Sequence, residues 1–228
     1  MTDIAKNIAI IKERVDASAK KTGRSGSDIT IVAVSKTVGA YAVEQAVEAG
    51  MRDFGENYVQ EYLKKREVIK DTSLNWHIIG PLQSNKVKYT LDGVCLLHSL
   101  DRLSLAREIE RQCENKTTQL SALVQLNIGK EPTKSGICEE DLQRFIQDVS
   151  VMRRIRLKGL MAIPPAAFQA DDNRPYFEKM RKLFDRYKAE YPEFEYLSMG
   201  MSDDFEAAIE EGSNVVRIGT AVFGARSN

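Results

Sequence analysis

Short runs of consecutive apolar residues alternate along this chain with longer stretches whose apolar positions recur every three or four residues. The first run, Ile29-Thr-Ile-Val-Ala-Val34, is almost wholly apolar, as a strand buried on both faces must be. Further runs of this kind lie at residues 53–55, 76–79, 94–97, 122–126, 157–161, 196–199 and 215–218. The stretches between them carry helical periodicity. In residues 42–49, for example, Val43, Ala46, Val47 and Ala49 share a face, and Gly50 follows as a stop. Helices are predicted over residues 2–21, 42–49, 58–69, 84–91, 103–114, 139–149, 174–190 and 203–211. Asp101 and Ser202 suit helix N-caps, and Gly212 suits a C-cap.

Alternating strand and helix units imply a parallel sheet covered by helices. Eight strands predict a closed (β/α)8 TIM-type barrel with one additional N-terminal helix, an α/β fold in a single domain over residues 1–228. The competing architecture is an open doubly wound sheet. It would carry a Gly-rich turn after the first strand, and Ser35-Lys36-Thr37 is not one. No linker, low-complexity tract or charge block divides the chain.

Composition narrows the function classes. The 228 residues carry 33 basic and 33 acidic side chains, which argues against a generic nucleic-acid footprint. No apolar run reaches the roughly 18 residues of a membrane span. The first residues read as an amphipathic helix rather than a signal peptide, and Cys95, Cys113 and Cys138 lack CxxC spacing. They are expected to be reduced thiols in a cytoplasmic protein, without zinc or disulfides.

In a (β/α)8 barrel the active site lies at the C-terminal strand ends. Lys36 ends the first strand there, so its amine is aimed at the barrel mouth. A partly desolvated lysine forms a Schiff base with a carbonyl; a lysine merely snorkelling to water is the bland alternative. Ser202 opens the predicted seventh helix, and Gly219-Thr220 follows the eighth strand. Turns after strands 7 and 8 are the usual phosphate site of this fold, although each alone is ordinary turn chemistry. A Schiff-base lysine opposite a phosphate cradle points to pyridoxal 5′-phosphate (PLP). Lys134 lies in the long loop after the fifth strand, at the same mouth, and could accept the ligand transiently or guide it outward. His77 and His98 read as satisfied core histidines, and the basic and acidic stretch 64–70 as a solvated helix face. No GxGxxG, HExxH or GxSxG motif occurs.

Five segments together carry a resemblance. Ala33-Val-Ser-Lys36-Thr37, Phe54-Gly-Glu-Asn57-Tyr-Val-Gln-Glu61, His77-Ile-Ile-Gly80-Pro-Leu-Gln83-Ser-Asn85-Lys86, Ser198-Met-Gly-Met-Ser202 and Val216-Arg217-Ile-Gly219-Thr220 resemble, in order, the pyridoxal phosphate homeostasis proteins. That family is similar to the barrel half of alanine racemase, a fold-type-III PLP protein. The resemblance implies that Lys36 carries PLP covalently, that Ser202 and the Gly219–Thr220 backbone hold its phosphate, and that Arg217 faces its pyridine nitrogen. Asn57 and Met199 match positions beside the cofactor. The implied activity is binding, buffering or delivery of PLP by a monomer without substantial turnover, with PLP-dependent apo-enzymes as possible recipients. The chain ends soon after the eighth strand, so no second, β-rich domain with an opposite-face base is expected. A slow PLP-dependent racemase is the competing reading. A Schiff-base aldolase fits less well, because it needs neither Arg217 nor the phosphate turns.

Overall fold

Val32, Ala33 and Val34 are all buried, and so is nearly every residue of the other apolar runs, because each strand is covered on both sides. In the computed structural model, which describes residues 3–166 and 169–224, the strands are Thr30–Val34 (β1), Asp53–Glu56 (β2), Asn75–Ile78 (β3), Val94–Leu100 (β4), Leu120–Leu126 (β5), Ile155–Ala162 (β6), Tyr196–Ser198 (β7) and Val215–Ile218 (β8). They form a closed barrel in sequence order. Every pairing is parallel. Thr30 opposite Val215 through Ala33 opposite Ile218 closes the ring. That closing ladder excludes the open-sheet alternative.

The outer layer consists of α1 (Ile4–Lys21), α2 (Ala40–Glu48), α3 (Val59–Val68), α4 (Leu103–Lys116), α5 (Glu139–Ser150), α6 (Arg174–Glu190), α7 (Phe205–Glu210) and α8 (Thr220–Phe223). In α1 the buried residues Ile4, Ile8, Ile11, Val15 and Ala19 form one stripe, which packs on α2, α7 and α8. This is the expected additional helix. None of the described helices is long and apolar enough to cross a membrane.

Two local expectations change. The segment between β3 and β4 is a 3-10 helix, Ser84–Tyr89, rather than an α-helix. The helical piece is only six residues long, and i to i+3 turns are the form short helical pieces take. The predicted caps also shift: Arg102 and Asp204, not Asp101 and Ser202, stand at the N-caps of α4 and α7. Asp204 Oδ1 accepts from the Met201 N–H at 2.7 Å, so the carboxylate serves the turn before α7 and leaves the Ser202 hydroxyl for another task.

Alternation along the strands decides what fills the barrel. His77, His98, Gln125, Ser198 and Arg217 are buried polar side chains on β3, β4, β5, β7 and β8. The apolar part of the interior holds Leu96, Leu123 and Met161, with Tyr196 and Ile163 against them. Gly159 in β6 has φ +141°, and a Cβ there would stand 1.9 Å from the Tyr196 carbonyl oxygen. Only glycine lets β6 and β7 pair at that point.

Candidate functional site

The turn after β1 presents Lys36 to a pocket of about 440 Å³ at the C-terminal end of the barrel. Three side chains clamp the turn. The Ser35 hydroxyl donates to Glu56 Oε1 at 2.5 Å, Lys65 Nζ donates to the Ser35 carbonyl at 2.5 Å, and the Thr37 N–H donates to Glu61 Oε2 at 2.9 Å. Thr37 takes φ +63°, an uncommon conformation for a β-branched residue, held in place by that last bond. Lys65 also pairs with Glu56 at 2.5 Å, and both side chains are buried. Burial pushes the Glu56 carboxyl up to about 7, against the bonds from Lys65 and Ser35.

Lys65 corrects the reading of residues 64–70 as a solvated face. It lies on the stripe Val59, Tyr62, Lys65, the buried residues of α3, and reaches under the Lys36 turn. That spacing is visible in the sequence. Glu56 and Glu61 stand inside the segment Phe54–Glu61, and Lys65 follows Glu61 by one helical turn, but nothing local in the sequence marks the three as partners of the Lys36 turn.

Arg217 sits on the pocket wall and is buried. Its guanidinium donates to Ser198 Oγ at 2.6 Å and to the Ala162 carbonyl at 3.0 Å. Burial pulls its pKa down to about 10, so it stays cationic at neutral pH. Ser202, Gly219 and Thr220 line the same pocket. The Ser202 hydroxyl accepts from the Gly219 and Ala221 N–H groups at 3.2 and 3.3 Å, which ties the turn before α7 to the turn opening α8. Ser202 is therefore not a cap but one wall of a small cluster of hydroxyl and backbone donors. Asn57 lines the pocket beside Gly80, where a Cβ would stand 2.6 Å from the Asn57 carbonyl oxygen; only glycine allows this approach.

Lys134 shares the pocket with Lys36. It pairs with Glu131 at 2.5 Å and donates to the Pro164 carbonyl at 3.1 Å. Asn127 organises its loop by donating to the Glu131 and Lys134 carbonyls and accepting from the Glu131 N–H. Met199 departs from the expectation. Ser198 points into the barrel, so its neighbour points outward, and Met199 is buried in the layer between barrel and helices rather than on the pocket wall.

Six of the seven expected site residues thus surround one cavity. Its donors are an amine, a donor-only guanidinium, a hydroxyl and backbone N–H groups. This set fits a small ligand with an anionic group at one end, an acceptor atom opposite Arg217 and a carbonyl within reach of Lys36. PLP has those three features.

The model for the alanine racemase N-terminal domain matches residues 3–227. A protein named pyridoxal phosphate homeostasis protein from Escherichia coli K12 is 44% identical over 99% of this chain and 98% of its own length. One of the same name from Aquifex aeolicus is 42% identical, over 95% of both chains. The chain belongs to the pyridoxal phosphate homeostasis protein family. Among solved structures, PipY of Synechococcus elongatus PCC7942 with PLP bound superposes with a TM-score of 0.85 at 30% identity, over 97% of this chain and all of the other. Alanine racemase from Clostridium difficile 630, at 15% identity, shares the fold over 98% of this chain but only 57% of its own length, with a TM-score of 0.74.

Proposed function

We propose that this family member binds PLP in the mouth pocket, covalently through Lys36, and serves intracellular PLP homeostasis by binding, buffering or delivering it. The observation that carries this is the placement of Arg217, Lys36 and the Ser202 and Gly219–Thr220 turns on one cavity of about 440 Å³. When bound, the cofactor supplies a reactive carbonyl and an electron-withdrawing ring. The protein's own contribution is to hold it. The Ser202 hydroxyl and the neighbouring N–H groups meet the phosphate. Arg217 donates toward the ring nitrogen, and the clamped turn directs the Lys36 amine. Asn57 packs beside the ring.

Arg217 has only donors, so it disfavours a protonated ring nitrogen and weakens carbanion stabilisation. This favours a carrier without substantial turnover; we further propose that it acts in the cytoplasm as a monomer and passes PLP to apo-enzymes. The test is to add PLP to the purified protein, reduce with borohydride and map the adduct. The expected adduct is on Lys36, and Lys36→Ala folds normally without it. A reducible adduct at full occupancy in Lys36→Ala overturns the assignment.

A further inference from the structure

Five side chains on five elements form one continuous hydrogen-bonded chain through the barrel interior. Asp53 Oδ1 lies 3.1 Å from His77 Nε2. His77 Nδ1 lies 3.0 Å from His98 Nε2. His98 Nδ1 lies 3.0 Å from Ser198 Oγ. Arg217 closes the series with its 2.6 Å bond to the same hydroxyl. Asp53 begins β2, at the barrel end opposite the pocket, and its side chain is 24% exposed. Arg217 lies on the pocket wall at the other end.

With both histidines neutral, the two ends decide the direction of every bond between them. Arg217 can only donate, so Ser198 Oγ accepts. The Asp53 carboxylate accepts, so His77 Nε2 carries a hydrogen. Burial, followed by the charges of His77 and Arg217, holds His98 well below the ordinary histidine range, so His98 is neutral and has one N–H. With His77 neutral, its bare Nδ1 takes the hydrogen of His98 Nε2. His98 Nδ1 is then bare and takes the Ser198 hydroxyl hydrogen. In this arrangement every hydrogen in the series has an acceptor. A doubly protonated His77 would instead drive the His98 hydrogen onto Nδ1 and leave the Ser198 hydroxyl hydrogen without its acceptor. At the Asp53 end, Cys95 and Tyr196 feel the Asp53 charge, Lys158 pairs with Glu195 beside Tyr196, Lys12 and Arg52 line a cavity with Asp53, and Asn75 Nδ2 donates to Asp53 Oδ1 at 3.2 Å.

We infer that His98 and His77 are positioning residues for Arg217, acting through Ser198, and that they set its preference for a ligand ring with an acceptor nitrogen. The ring-facing role of Arg217 rests on the PLP reading above; the tautomers of the chain do not. With the series intact, Ser198 offers Arg217 a lone pair in one fixed direction. With His98 unable to accept, the hydroxyl is free to rotate and the guanidinium is aimed by the Ala162 carbonyl alone.

The experiment compares PLP with its analogue bearing carbon in place of the ring nitrogen, by equilibrium titration. Wild-type protein is expected to prefer PLP by roughly ten- to a hundredfold, the value of a hydrogen bond to a charged group. His77→Leu and His98→Leu lower that preference by roughly tenfold. His77→Gln, which keeps one acceptor and one donor, retains it. Asp53→Leu changes only the partly exposed end, gives the same loss, and covers the event that a buried substitution fails to fold. In the ligand-free wild type, ¹⁵N NMR shows His98 protonated at Nε2 and bare at Nδ1. An unchanged preference in folded His77→Leu and Asp53→Leu overturns the inference, as does a His98 hydrogen on Nδ1. Wild-type protein that binds PLP and its analogue equally overturns it too, while leaving PLP binding intact. Wild-type protein that takes up no PLP overturns the function above instead, and the His98 tautomer still decides the chain.

Discussion

At the Ser202 hydroxyl, one oxygen joins two turns that are far apart in the chain. It accepts two backbone N–H groups, and in the proposed binding mode its own hydrogen goes to the ligand phosphate. Ser202→Ala removes that oxygen but leaves the N–H groups, so PLP should weaken about tenfold, a lost bond to a charged group. Unphosphorylated pyridoxal should weaken far less, and titration with both ligands checks this; equal weakening places Ser202 away from the phosphate. The Glu56 and Lys65 pair makes a second prediction. Burial raises the Glu56 pKa from 4.5 to about 7, so between those values the folded state keeps a proton that the unfolded chain has released. The unfolded state then binds fewer protons, and stability from this group falls as pH rises through that window. Urea unfolding from pH 4 to 8 should show the decline, and Glu56→Gln should flatten it. Lys65→Met removes the cation that holds the Glu56 pKa down, so the decline extends above pH 7; there, breaking a buried pair costs about 3–5 kcal/mol.

At the scale of elements, the loop between β5 and α5 is anchored by buried Ile128 and organised by the Asn127 side chain. Lys130 and Gly136 take positive φ, and the Asn127 side chain stitches the Glu131 and Lys134 backbone together. Lys134 is held by Glu131 and Pro164 at the pocket edge. A second amine at the rim can receive or guide a departing ligand. Lys134→Ala should therefore slow transfer of PLP to an apo-enzyme severalfold without unfolding the protein. Stopped-flow transfer kinetics decide this, and equal rates remove the role. The same scale explains why the Lys36 turn is rigid: β2 supplies Glu56 and α3 supplies Glu61 and Lys65, so two elements grip one turn.

For the whole molecule, the barrel places all its chemistry at one end and one buried polar chain along its axis. A racemase working on both faces of a substrate needs two general bases there. The described pocket wall offers the Lys36 and Lys134 amines and the Asp203 carboxylate, and in the proposed binding mode Arg217 opposes the ring protonation that carbanion chemistry prefers. PLP-loaded protein with D- or L-alanine should thus exchange the α-proton with D2O far more slowly than an enzyme turns over. Proton NMR over minutes to hours reads this directly, and exchange within seconds at catalytic protein levels promotes the racemase reading.

Residue order alone determined the alternation of eight strands with helices, the N-terminal helix and the positions of Lys36, Ser202, Arg217 and Gly219 at strand ends, because hydrophobic period and turn chemistry are local properties. Strand ends were less legible: β4 and β6 each run past the expected stretch, to Leu100 and Ala162. The structure decided what local pattern cannot express. A strand buried on both faces reads as uniformly apolar, so Tyr196-Leu-Ser-Met199 does not say which residues face inward; barrel closure turned Ser198 in and Met199 out. Lys65 reads as a surface lysine until α3 docks and brings Glu56 within reach. His77 and His98 read as core histidines, and they are, but beyond each other their partners come from β2 and β7, up to 100 residues away in the chain. Only closing the barrel brings a carboxylate to one end of that series and a guanidinium to the other, and with both histidines neutral those two charges orient every hydrogen between them.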